Sequence, residues 1–270
     1  MIGRGADAAR HGVYRAEWQY VPGGWRTADA DPQMTGWAHP SVAQAQRRNW
    51  SRWLQAIAAP GAVGCAHHMP EGGQRRLDTH NANLVLAYSA LLAAGRRDTL
   101  SVLDWGSGPG HTVELLRSLV SELRLDYHGR DLPDLVTLGR ELVPDACFHD
   151  DDACFDRRYD LVIASSSLLY ARDWSDRLHK LADATAGYLL VARQPLTTGA
   201  SYVFVQRAYR YGYETECAGW CISLRDLVAA AAQAGLVLAR DMMTDETRRI
   251  IDAPGPCHIG ALLFRRPLEV

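Results

Sequence analysis

The sequence predicts an α/β protein: a doubly wound, mostly parallel sheet of seven strands, preceded by an N-terminal helical and irregular extension. Three observations carry this. From Thr99 onward, apolar runs of strand length alternate with amphipathic runs of helix length, the pattern of successive βαβ units. A glycine-rich turn, Asp104-Trp105-Gly106-Ser107-Gly108-Pro109-Gly110, joins the first such strand to the first such helix. Before Thr99 the alternation is missing, and that region holds five of the eight tryptophans. The expected division is therefore 1–95, an aromatic-rich lid or helical region, and 96–270, the α/β core.

Taken in order, residues 1 to about 38 are polar, broken by Gly and Pro, and aromatic at Tyr14, Trp18, Tyr20, Trp25 and Trp37. A helix is expected over 41–58, with Pro40 before it and Pro60 ending it. The Pro- and Gly-rich stretch 60–78 reads as a loop, and a second helix over 79–94 is stopped by Gly95. The core then reads as a strand at 100–105, a helix at 112–123, a strand at 125–129, a helix at 132–142 and a short strand at 146–149. It continues with a strand at 159–165, a helix at 175–184, a strand at 188–193 closed by Pro195, and a helix at 223–234. Two late apolar runs, 236–239 and 258–264, form a closing pair.

Composition narrows the function classes. The chain has 270 residues and a formal charge of −2, with 47% hydrophobic and 22% charged residues. That balance gives no general attraction to nucleic acid or to an anionic membrane. No run approaches the roughly 20 apolar residues needed to span a bilayer. The first residues lack a secretion-signal core, so a cytoplasmic location is expected. Six scattered cysteines contain no C-x-x-C pair and read as free thiols. Cys65 with His67 and His68, and Cys217 with Cys221, fall short of four zinc ligands, so no metal is expected.

A strand, a glycine turn and a helix make a nucleotide-binding arrangement, because the turn exposes main-chain N–H groups at a positively polarised helix start. The dinucleotide pattern G-x-G-x-x-G fails at its third position, where His111 stands; the spacing is D-x-G-x-G-x-G. Here the sequence resembles the class I S-adenosylmethionine-dependent methyltransferases, over about 99–266. The resemblance implies a Rossmann-like fold, S-adenosylmethionine as cofactor, and Gly106, Ser107, Gly108 and Gly110 packed against the cofactor's amino-acid part. Asp104 then suits its ammonium group.

It further implies that Asp131, at the end of the second strand, accepts hydrogen bonds from the ribose hydroxyls, an ionised carboxylate being an acceptor only. Asp134 is the competitor, but its place at a helix start suits capping. Leu132 would pack on the adenine, and Asp151 or Asp152 would reach the adenine amino group. Ser165, in Ser165-Ser166-Ser167-Leu168-Leu169-Tyr170, would touch the cofactor, and Tyr170 would face the acceptor. Asp-Trp-Gly at the first strand, this serine run and Arg193-x-Pro195 are also similar to a group of bacterial methyltransferases that often accompany polysaccharide or secondary-metabolite pathways. Ser107 departs from that group's usual glycine.

The candidate catalytic groups are His67, His68, His80, Tyr170 and Arg193, the first three as bases for an oxygen acceptor. His111 reads as a helix-start residue beside the cofactor. The expected partner is a small molecule. The aromatic extension reads equally as a lid, as an arm of a homodimer, or as packing. Alternatives are an enzyme using the same cofactor without methyl transfer, a nicotinamide-dependent oxidoreductase, and a non-catalytic cofactor-binding protein.

Overall fold

The computed structural model describes residues 16–68 and 73–267; Tyr14 and the Pro70–Gly72 part of the predicted loop lie outside the described residues. The chain opens with β1 (Trp18–Tyr20) and the short α1 (Trp25–Asp29). Then comes α2 (Pro40–Ala58), started by Pro40 at its first turn and by His39 Nδ1, which accepts from Ser41 N at 3.3 Å. Next is α3 (Leu77–Ala94), closed by Gly95 at φ 61°.

The alternating region follows as read: β2 (Thr99–Trp105), α4 (His111–Leu119), β3 (Arg124–Arg130), α5 (Pro133–Leu142), β4 (Cys147–His149), β5 (Tyr159–Ser165), α6 (Trp174–Asp183) and β6 (Thr185–Thr197). The chain ends with β7 (Tyr202–Arg207), β8 (Glu216–Ser223), α7 (Leu224–Gln233), β9 (Val237–Thr247) and β10 (His258–Arg265). Strand neighbours run β4-β3-β2-β5-β6-β10-β9. The first five are mutually parallel, and β10 is antiparallel to both its neighbours. This is the predicted seven-stranded, Rossmann-like sheet.

Period-two alternation sorts its side chains onto two faces. Val102, Tyr127 and Ile163 pack with Leu86 and Ala90 of α3, Val113 and Leu116 of α4 and Val136 of α5. Leu103, Val162 and Val191 pack on the other face with Leu178 and Leu181 of α6 and Leu227 of α7. Burial on both faces accounts for the near-continuous apolar runs in the sequence.

Three further strands extend the sheet beyond the prediction. β6 does not stop at Pro195. It leaves β5 after the Ser165–Ala192 pair, passes Arg193 at φ 51°, and joins β8 at Leu196 and Thr197. There Pro195, which has no N–H, is opposite Ile259 of β10. β8, β7 and β1 continue as an antiparallel ribbon. Arg207 ties that ribbon together: its Nε lies 3.2 Å from buried Glu216, and its guanidinium donates to Ala16 O at 2.7 Å. Among the described residues no helix is long and apolar enough to cross a membrane.

Candidate active site

At the carboxyl ends of β2, β3 and β5 the strands stop together, and their following turns enclose a cavity of about 730 Å³. Loop ends meet there because βα turns of parallel strands all emerge on one side of the sheet.

The turn after β2 has three glycines in the left-handed region: Gly106 at φ 84°, Gly108 at 55° and Gly110 at 101°. Gly106 has the tightest requirement. A Cβ on it would stand 2.2 Å from Ser167 Cβ. Ser167 is fixed in turn by Oγ, which donates to Trp105 O at 2.6 Å. The turn is also held to β3: Gly106 N donates to Arg130 O at 2.8 Å, and Gly108 N to Asp131 Oδ2 at 2.7 Å. The other Asp131 oxygen accepts from Leu132 N at 2.7 Å. Burial pushes the Asp131 carboxyl up, and those two N–H bonds oppose the shift.

Gly106, Ser107, Gly108, Asp131, Leu132 and Ser165 all line the cavity. Asp104 and Gly110 do not. Asp104 is 1% exposed and stands behind the turn, where it accepts from the Tyr127 hydroxyl at 2.6 Å. Burial pushes its carboxyl up to about 6. It braces the turn and does not wall the cavity. Gly110 begins α4 and lies against Phe148 and Val143. Asp151 and Asp152 are also outside the cavity wall. Asp151 caps a short 3-10 turn by accepting from Ala153 N at 3.1 Å, and Asp152 is held by Lys180 at 3.0 Å and Arg177 at 3.3 Å.

Four of the five predicted catalytic residues, His67, His68, Tyr170 and Arg193, line the same cavity. His80 does not. Its Nδ1 accepts from Val63 N at 3.1 Å, which fastens the preceding loop to α3. His67 stands over His111 with ring centroids 4.4 Å apart, and its Nε2 is 3.4 Å from the Tyr213 hydroxyl. Burial, with the Arg193 charge second, pushes His67 down to about 4. Burial, then His67 and nearby arginines, pushes His68 down to about 2. Both rings are therefore neutral at pH 7. The Tyr170 hydroxyl donates to Gln206 and is pushed well above its ordinary value by burial, so it stays a phenol.

Among wall residues, the sequence reading misses Gln46 and names Trp37 only as part of the aromatic extension. Gln46, on the buried stripe of α2 with Val42, Ala45, Trp50 and Trp53, is 7% exposed. Its Nε2 reaches Tyr213 at 3.5 Å, but its Oε1 is buried without a hydrogen-bond partner among the described residues. That oxygen lies 3.4 Å from where a Cβ on Gly108 would sit, directly over the turn. Trp37 meets Tyr170 and Tyr213 edge-on at 5.0 and 5.7 Å, and its Nε1 is likewise buried and unpartnered among the described residues. The available signals were a glutamine in an apolar helical stripe and a tryptophan in a polar segment.

A turn open to main-chain approach, a carboxylate at the end of the next strand and an orphaned acceptor beside the turn fit a ligand that carries both an ammonium group and a sugar. Residues 66–240 match the model of the family described as "Methyltransferase domain" (Methyltransf_23), and the chain belongs to that family. It is an S-adenosylmethionine-dependent methyltransferase and binds that cofactor.

Among solved structures, the fold is similar to a protein from Galdieria sulphuraria provisionally assigned as a sarcosine dimethylglycine methyltransferase. The TM-score is 0.54 and the identity 14%, over 83% of this chain and 98% of that one. It is also similar to the N-terminal domain of EvdMO1, solved in the presence of S-adenosylhomocysteine and D-fucose. There the TM-score is 0.50 and the identity 12%, over 88% of this chain and all of that one. No curated protein matches the sequence.

Proposed function

We propose that the enzyme methylates an oxygen or nitrogen atom of a small, ring-bearing acceptor, in specialised or saccharide metabolism. The observation that carries this reading is one continuous cavity whose wall includes both the glycine turn with Asp131 and a second group of His67, Tyr170, Arg193 and Trp37.

On this reading, the main chain at Gly106–Gly108 and the orphaned Gln46 Oε1 receive the amino-acid end of the cofactor. Asp131 receives the ribose hydroxyls, Leu132 covers the adenine, and Ser165 stands beside the reacting end. When bound, the cofactor supplies an electrophilic methyl group on a sulfonium centre. The residues of the chain hold the acceptor in line and exclude water, and near-attack placement of this kind can lower a barrier by roughly 7–11 kcal/mol. His67, neutral at working pH, offers a ring lone pair to a hydroxyl or amine acceptor; the burial that pushes it down to about 4 disfavours the imidazolium, so it positions the acceptor and does not hold its proton. Tyr170 orients and does not deprotonate. Aromatic rings at Trp37, Tyr170 and Tyr213 suit the face of a planar or sugar ring.

The test is turnover of methyl-labelled cofactor against a panel of phenols, aryl amines and sugars. His67→Ala should lower kcat/KM for the acceptor by about tenfold, the loss of one positioning hydrogen bond. Trp37→Ala should raise KM for the acceptor. Both should leave S-adenosylhomocysteine affinity within about threefold of wild type, since neither is assigned to the cofactor. A panel that yields no labelled product from protein that binds S-adenosylhomocysteine, or variants that lose affinity and turnover in parallel, would overturn the assignment of the acceptor wall.

A further inference from the structure

On the opposite side of β3 from Tyr127, three donor side chains converge that the methyltransferase site does not use. His128 of β3 faces Cys147 and His149 of β4, the three-residue edge strand. His128 Nδ1 and His149 Nε2 are 3.0 Å apart, and Cys147 Sγ is 3.3 Å from the same His149 nitrogen. All three ligand atoms lie within 4.8 Å of one another. We propose that His128, Cys147 and His149 form a binding site for a borderline-soft divalent ion, zinc in the first instance.

The three donor atoms stand close enough together for one ion to reach them all. Zinc–nitrogen bonds of about 2.0–2.1 Å and zinc–sulfur bonds of about 2.3 Å place tetrahedral donors roughly 3.3 Å (N to N) and 3.6 Å (N to S) apart. The separations here are slightly shorter, so small side-chain rotations suffice. Zinc would take one lone pair from each neutral imidazole, with any intervening ring proton moving to the far ring nitrogen, and the Cys147 thiol proton would pass to solvent. Two imidazoles and a thiolate select zinc or its neighbours over magnesium or calcium, which require oxygen donors.

The outer contacts agree. His128 Nε2 lies 3.2 Å from Asp126 Oδ1, the carboxylate–histidine arrangement that fixes a metal-bearing ring. Arg157 also lies 3.0 Å from that nitrogen, where a guanidinium can only donate, so this contact competes with the protonated Nε2 and must turn aside on metal binding; its second amino group donates to Asp126 Oδ2 at 2.7 Å. Cys147 is exposed, which gives the ion an entry route and leaves a fourth position for water. Such an ion would staple the short edge strand to β3. The same strand end supports Asp131, whose N–H donates to His149 O at 3.2 Å. The spacing hid the site: His128 and His149 are 21 residues apart and meet only because β3 and β4 pair in parallel. The expectation of no metal rested on clusters close in sequence.

The experiment uses the full chain without a histidine tag, stripped with chelator and then titrated with zinc against a chromophoric competitor, with cobalt(II) as a spectroscopic substitute. About one ion per chain should bind, and cobalt should give a thiolate-to-metal charge-transfer band. Cys147→Ser should abolish the band, His149→Ala should abolish tight binding, and Asp126→Asn should weaken zinc about 10–100-fold. Zinc should also raise the Tm of wild type and not of Cys147→Ser. Failure of stripped, folded wild type to bind zinc would overturn the site. So would an undiminished charge-transfer band in Cys147→Ser.

Discussion

Asp131 is where stability and cofactor affinity meet, and its replacement gives the sharpest test of the proposed ribose grip. The carboxylate accepts two main-chain N–H groups, from Gly108 and Leu132, both at 2.7 Å. Those bonds use one lone pair on each oxygen and leave one on each for donors in the cavity. Hydrogen bonds to a charged group are worth about 1.5–3 kcal/mol each. Loss of two ribose donors, reduced because water competes for them in the free state, amounts to about 3 kcal/mol, or roughly 10²-fold in Kd. Asp131→Ala should therefore weaken S-adenosylhomocysteine by about that factor in titration calorimetry, with a lower Tm because the Gly108 N–H loses its acceptor. Asp131→Asn keeps one acceptor oxygen and should fall between. Burial raises the carboxyl, so affinity should also decline as acidification protonates it, and this decline should be absent in Asp131→Asn. A folded Asp131→Ala protein with affinity within threefold of wild type would refute the reasoning.

Two further outcomes follow from the turn and its support. Gly106→Ala forces a side chain into the left-handed region, at about 1–2 kcal/mol, and sets its Cβ 2.2 Å from Ser167 Cβ. Denaturant unfolding should show a loss above about 2 kcal/mol, with Ser167→Gly in the same chain recovering the clash but not the backbone cost; additive losses would sink this account. Asp104 has its carboxyl raised from 3.8 to about 6 by burial, so the folded state binds the proton more tightly than the unfolded one. Its contribution to stability is largest below 3.8 and is lost as pH rises through 6, by about 3 kcal/mol at 1.36 kcal/mol per pH unit. Asp104→Asn should flatten that part of the stability–pH curve, and an unchanged curve would show that Asp104 is not the titrating group.

Which parts of this molecule were legible in its sequence follows from how local their causes are. The central strands β2, β5, β6 and β10 are buried on both faces and appear as apolar runs, while α2 and α3 carry stop signals at Pro60 and Gly95. The glycine turn is legible because its constraint lies within a few residues. β7 and β8 were missed although Val203, Phe204 and Val205 are buried. They pair beyond a strand that changes partners at Arg193, and nothing near Pro195 in the sequence announces that the chain continues past it. The proposed acceptor side was legible residue by residue, in His67, His68, Tyr170 and Arg193, but not as one wall. His67 and Arg193 share the cavity with Trp37, yet they come from three segments brought together only by the fold. His80 reads like His67 in the sequence, but a single contact to Val63 N commits it to holding a loop. Asp104 shows the same limit: its spacing marks it as part of the turn, but only Tyr127, one strand away, reveals that it supports the turn from behind. A motif therefore identifies which backbone a ligand approaches, while the surrounding tertiary contacts decide which side chains face that ligand.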